Sequence, residues 1–148
     1  MNKEHYKSKS HVVYSIRLHF VFVTKYRHKT ITPEIEKELR TAFSDILNGW
    51  GSELIECGIE ADHAHVLVDI PPTTNISKLA NNLKSASSRR VRHRFSDWID
   101  QFYWKPYFWH RAYFVASVGH ASLETVKKYV EKQTTFGKDS RLDSPPSA

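Results

Sequence analysis

Two histidines on one short apolar segment are the first candidates for chemistry. In Glu60-Ala61-Asp62-His63-Ala64-His65-Val66-Leu67-Val68-Asp69-Ile70, an extended chain alternates its side chains between faces. His63 and His65 then project to one side, and Ala64, Val66, Val68 and Ile70 to the other. Two imidazoles so placed can share one metal ion, and they also suit two ordinary hydrogen-bonded histidines, so spacing alone leaves both readings open. The three-histidine pattern of nucleotide hydrolases is excluded because position 67 is Leu. The zinc-protease helix, with two histidines four apart around a glutamate, is also absent.

A second candidate lies in Ser122-Leu123-Glu124-Thr125-Val126-Lys127-Lys128-Tyr129-Val130-Glu131-Lys132-Gln133. At helical spacing Tyr129 and Gln133 stand one turn apart, at the margin of a stripe made by Leu123, Val126 and Val130. Alone, Tyr129 extends a packed face with Gln133 at its rim. Beside a histidine pair it offers more, because a tyrosine that attacks a phosphodiester stores the bond energy in a phosphotyrosine ester, ready for rejoining. A divalent ion on two imidazoles and an amide carbonyl would polarise the phosphate and keep positions open for substrate.

These residues must be held by elements that the pattern of the chain predicts. His11 to Thr24 reads as one long strand, with Tyr14, Ile16, Leu18, Phe20 and Phe22 alternating against Ser15, Arg17 and His19. Thr32-Pro33 supplies an N-cap and a first-position proline for a helix carrying Ile35, Leu39, Ala42, Phe43, Ile46 and Leu47, with Gly49 and Gly51 at its end. Glu53 to Glu60 and His63 to Ile70 form a hairpin across Ala61-Asp62, and Pro71-Pro72 stops it. A second helix starts near Asn75 and runs to Phe95. The aromatic stretch Trp98 to Trp109 suits a core or an interface better than base stacking. It leads to a strand, Ala112 to Val118, and to a last helix from about Ser122 to Thr134. The order strand, helix, strand, strand, helix, strand, helix predicts an α+β, ferredoxin-like split βαβ fold with an antiparallel sheet and an added C-terminal helix. Residues 1–10 are expected to be an N-terminal arm, 11–136 a single domain and 137–148 a disordered tail.

Composition narrows the partners. The chain has 148 residues, a formal charge of +6 and one cysteine, Cys57, so disulfide frameworks and multi-cysteine zinc sites are excluded. No apolar run reaches the roughly 20 residues of a membrane span, and a cytoplasmic, DNA-associated protein without a membrane partner is expected. A basic balance with pI near 9.4 favours a polyanion. Lys84, Arg89, Arg90, Arg92 and Arg94 crowd the end of the second helix with no acidic residue until Asp97. Lys25, Arg27, His28 and Lys29 make a second cluster. Lys25, Arg27, Lys84, Arg89, Arg90 and Arg92 are the candidate DNA-binding residues.

The histidine pair on a strand, followed by Lys127-Lys128-Tyr129-Val130-Glu131-Lys132-Gln133, resembles the single-tyrosine HUH transposases, the TnpA proteins of the smallest bacterial insertion sequences. Val21-Phe22-Val23-Thr24-Lys25-Tyr26-Arg27, Leu79 to Arg89 and Tyr113 to Gly119 agree with that family in the same order. The resemblance spans His11 to Gln133 and implies a metal-dependent strand transferase acting on single-stranded DNA. It assigns His63, His65 and Gln133 to Mg²⁺ or Mn²⁺. Tyr129 becomes the nucleophile that leaves a 5′-phosphotyrosine and a free 3′-OH. It further implies recognition of DNA hairpins at element ends, and a homodimer whose composite sites take the tyrosine helix from the other protomer, with Gly119-His120-Ala121-Ser122 as the hinge. Two other classes remain open at this point: an HUH nicking enzyme of the replication-initiator or palindrome-processing kind, and a non-catalytic ferredoxin-like nucleic-acid-binding domain.

Overall fold

The computed structural model describes residues 7–9, 12–118 and 130–131. Strands β1 (Lys7–Lys9) and β2 (Val12–Tyr14) pair with each other alone. The rest builds on β3 (Arg17–Thr24), α1 (Pro33–Gly49), β4 (Glu53–Ile59), β5 (His63–Asp69), α2 (Ile76–Arg94), a single turn α3 (Ser96–Ile99) and β6 (Trp109–Ser117). The four long strands form one sheet in the order β4-β5-β3-β6, antiparallel at every junction. This is the split βαβ topology predicted from the order of elements.

Alternation along the strands divides the sheet into two faces. Leu18, Phe20 and Phe22 of β3 join Ala64, Val66 and Val68 of β5 in the main core. Ile35, Leu39, Phe43 and Leu47 of α1 and Leu79, Leu83 and Val91 of α2 close over them. Both helices begin where expected: the Thr32 hydroxyl, the expected N-cap, accepts from the Ile35 amide, and the Asn75 side chain caps the second helix by accepting from the Lys78 amide. Such caps typically contribute about 1 kcal/mol each. Gly51, at φ +67°, takes the left-handed turn after α1 that other residues adopt only with strain.

Three boundaries differ from expectation. The strand expected over His11 to Thr24 breaks at Ser15-Ile16, because Pro71-Pro72 ends β5 and Arg17↔Asp69 is the last register pair available. Val12–Tyr14 before it pairs with Lys7–Lys9, inside the segment expected to be an arm, and Val13 is 71% exposed. Strand β6 starts at Trp109 rather than Ala112, through an irregular register between Phe22 and Thr24 that gathers the extra residues. The aromatic stretch serves the core as expected: Tyr103, Phe108 and Trp109 are buried, and the Trp109 indole donates to the Ser87 hydroxyl. The expected last helix and C-terminal tail lie outside the described residues except for 130–131.

Candidate active site

The face of the sheet away from the helices carries the histidines. On β5, His63 and His65 stand with ring centroids 5.0 Å apart and planes nearly perpendicular. Across from His65 on β4 is Gly58, so that strand sets no side chain against the imidazole. A third ring, His19 of β3, lies 5.4 Å from His65. Burial pushes the His65 pKa down to about 4, helped by the neighbouring His63 and His19, so at neutral pH its ring is uncharged and keeps a lone pair for a ligand. Burial also lowers the pKa of His19, against the pull of Glu56.

His63 is oriented from behind. Its Nδ1 lies 2.8 Å from Asp62 Oδ1, so the ring donates there and leaves Nε2 as the acceptor. The other Asp62 oxygen accepts from Arg27 Nε at 2.8 Å. Burial alone would raise the Asp62 pKa, but the bonds from His63 and Arg27 outweigh it and hold the carboxyl below its ordinary range. A neutral imidazole beside one whose tautomer is set by a carboxylate fits a divalent ion. Among the described residues no group of three or more His, Cys, Asp or Glu could hold an ion. Gln133, implied as a metal ligand, and Tyr129, the implied nucleophile, both lie outside the described residues.

The residue after Tyr129 is described. Val130 is buried against Val21 and Val23, with Phe114 packed beside them. In the β3–β5 register Val21 faces His65 and Val23 faces His63, so Val130 covers the same face of the sheet as the histidine pair. Its carbonyl accepts from Arg27 Nη1 at 3.1 Å.

The basic candidates separate into two sets. Arg90 binds Glu38 and Asp45 of α1, Arg94 binds Glu38, and Arg92 binds Asp100 and the Tyr107 carbonyl. The acid-free surroundings expected from local sequence therefore do not hold for these arginines, because folding brings carboxylates from distant segments. Lys84 and Arg89 instead border a cavity of about 500 Å³ lined by Asn81, Lys84, Ser85, Arg89, Tyr107 and Trp109 among others. Lys84 donates to the Arg111 carbonyl at 2.7 Å. Burial, with Lys25 and Arg111 nearby, lowers its pKa to about 8. Lys25 is buried with its ammonium 4.6 Å from the Tyr107 ring centroid, and Arg89 has no ion pair among the described residues.

The sequence profile described as "Transposase IS200 like" matches residues 12–133. The chain belongs to the IS200-like transposase family. It is 28% identical over 121 residues to the ISDra2 transposase TnpA of Deinococcus radiodurans, covering 82% of this chain and 86% of that one. It is also 28% identical over 143 residues to the IS200 transposase of Salmonella typhimurium, covering 95% and 93%. The 1.90 Å crystal structure of a candidate transposase from Deinococcus radiodurans R1 superposes with a TM-score of 0.79 at 29% identity, over 86% of this chain and 97% of that one. A REP-associated tyrosine transposase bound to a REP hairpin shares the fold, with a TM-score of 0.52 at 12% identity over 95% of this chain and 79% of that one. Membership makes DNA transposition, with cleavage and rejoining of DNA, the activity of this IS200-like chain. No helix among its described residues is long and apolar enough to cross a membrane.

Two site residues of this transposase escaped the sequence reading. Asp62 precedes His63 directly, and a carboxylate beside a candidate ligand was a usable signal. His19 left no such trace, because its approach to His65 depends on the β3–β5 register.

Proposed function

We propose that this transposase cleaves and rejoins single-stranded DNA at insertion-sequence ends, with Tyr129 as nucleophile and His63, His65 and Gln133 holding Mg²⁺ or Mn²⁺. The observation that carries this reading is the seating of Val130, next to Tyr129 in the chain, on the sheet face that presents His63 and His65. In the cleavage step the Tyr129 oxygen forms a bond to the scissile phosphorus, and the phosphorus–O3′ bond breaks. The product is a 5′-phosphotyrosine and a 3′-oxygen that takes up a proton. Rejoining is the reverse attack by a 3′-OH, which releases the tyrosine. A bound divalent ion polarises the phosphate oxygens and offsets their developing charge.

The residues of the chain prepare that step. Asp62 fixes the His63 tautomer, and burial keeps the His65 imidazole neutral. Lys84 and Arg89 beside the open cavity, with Lys25 close to Lys84, supply positive charge without a carboxylate in its lining, which suits contacts to DNA phosphates. Recognition of a DNA hairpin is proposed on the resemblance and on the hairpin-bound neighbour. A homodimer with composite sites is proposed on the resemblance alone. In this single chain Val130 rests on its own sheet, and a composite site would receive the same contact from the partner.

The test is a denaturing gel of protein incubated with a single-stranded hairpin substrate and Mn²⁺. A covalent adduct should form with the unaltered protein and vanish with Tyr129→Phe or with excess chelator, while hairpin binding persists. An adduct that survives Tyr129→Phe would overturn the assignment. Excision and rejoining of two ends, rather than a single nick, separates a transposase from an initiator-type nicking enzyme.

A further inference from the structure

We propose that Arg27 is a positioning residue that couples the seating of the segment after Tyr129 to the orientation of the His63 imidazole, acting through Asp62. The proposal rests on the roles given above to His63 and Tyr129. One guanidinium joins three parts of the molecule: Nε donates to Asp62 Oδ2 at 2.8 Å, Nη1 donates to the Val130 carbonyl at 3.1 Å, and Asp62 Oδ1 holds His63 Nδ1 at 2.8 Å. The side chains of Arg27, Asp62 and His63 are 23%, 13% and 14% exposed. Withdrawn from water to that extent, charge-assisted bonds are short and directional. A shift of residue 130 alters the pull on Arg27, which alters the carboxylate that sets the ring.

The backbone is built to aim this side chain. Tyr26 and Arg27 both have positive φ, 57° and 54°, a left-handed conformation disfavoured by about 1–2 kcal/mol per residue outside glycine. Surrounding bonds hold it in place. Lys25 N donates to the Phe108 carbonyl at 2.8 Å, the Tyr103 hydroxyl donates to the Lys25 carbonyl at 2.9 Å, and the Thr24 hydroxyl donates to the His28 carbonyl at 2.6 Å. Strain that persists under such restraint belongs with a demand on geometry. The rigid fork of arginine meets that demand, whereas a lysine ammonium is a point charge that cannot span both acceptors. The sequence placed Arg27 among the DNA contacts, but Nε and Nη1 are committed within the protein.

Linkage makes the coupling reciprocal: metal on His63 strengthens the seating of residue 130, and that seating strengthens metal binding. The experiment measures Mn²⁺ affinity, amide exchange at residues 130 and 131, hairpin affinity against salt, and cleavage for the unaltered protein, Arg27→Lys, Arg27→Ala and Asp62→Asn. Arg27→Lys is expected to weaken Mn²⁺ binding about tenfold, lower kcat, and leave hairpin affinity and its salt slope unchanged. Added Mn²⁺ should slow exchange at 130 and 131 in the unaltered protein but not in Arg27→Lys. Adding Arg27→Lys to Asp62→Asn should cause no further loss of Mn²⁺ affinity, since both act on one path. Arg27→Lys with normal Mn²⁺ affinity and normal exchange, or additive losses in the double variant, overturns the proposal. So does Arg27→Ala with a flatter salt slope and intact Mn²⁺ affinity, which makes Arg27 a phosphate contact. If Arg27→Ala does not fold, the lysine and asparagine variants decide alone. An adduct persisting in Tyr129→Phe would remove the function proposed above while leaving the Mn²⁺ coupling measurable. Loss of the coupling with Tyr129→Phe inactive removes this inference alone.

Discussion

Strand β5 is bounded by a carboxylate at each end, Asp62 just before it and Asp69 as its last residue, and each meets an arginine. The two pairs are built differently. Asp62 places one oxygen on His63 and the other on Arg27, both at 2.8 Å. Asp69 is almost fully buried, yet Arg17 Nε stands 3.6 Å away and Lys7 Nζ 4.0 Å, and neither of its carboxylate oxygens accepts a hydrogen bond among the described residues. At the histidine end the attraction is spent on direction, which orients a ring. At the far end it compensates a buried charge and ties the β1–β2 hairpin to the sheet, with Lys7 also bonded to Glu53.

That contrast predicts opposite outcomes at the two ends. Removing the cation at the far end strands Asp69 without its closest partner, so Arg17→Ala should lose about 3 kcal/mol in urea unfolding. Cleavage per folded molecule should be unchanged, and a variant as stable as the unaltered protein would show that the Asp69 charge finds other compensation. Asp62→Asn should do the reverse: Mn²⁺ affinity falls by about ten- to a hundredfold with little change in stability. Isothermal titration reads the first quantity and urea unfolding the second, and a stability loss with normal affinity would erase the distinction between the ends. The smallest effect concerns Glu53, whose pKa the Lys7 bond lowers from 4.5. A carboxyl depressed in the folded state adds stability above its unfolded pKa and loses it as pH falls through the folded value. Because the pair is exposed, the difference between the unaltered protein and Glu53→Gln should be only about 0.3 kcal/mol at neutral pH. It should disappear in acid and shrink with salt, and a difference that grows in acid would contradict the pairing.

Much of the framework was legible in the chain itself. Period-two alternation set His63 and His65 opposite Ala64, Val66 and Val68, as the burial of those three confirms. Thr32 marked a helix start because a cap is a contact between residues three apart in sequence. The boundary at Ser15-Ile16 was not legible, since alternation continues through it and only the end of the partner strand decides where pairing stops. Nor was the fate of Arg90 and Arg94, because their acids stand about fifty residues away on α1.

The sequence by itself determined the order of the four sheet strands and the two long helices, the histidine face of β5, the Thr32 cap and the resemblance to single-tyrosine transposases. Each of these is written in local spacing or in short motifs. Tertiary structure alone decided that His19 reaches His65, that Val130 rests on the valines facing the histidines, and that Arg27 reaches both Asp62 and the Val130 carbonyl. Those encounters join residues 35 to 103 positions apart in the hydrogen bonds and 46 apart in the ring pair. They depend on strand register, on the left-handed turn at Tyr26-Arg27 and on how the last segment packs, none of which has a period that a single chain of letters can display.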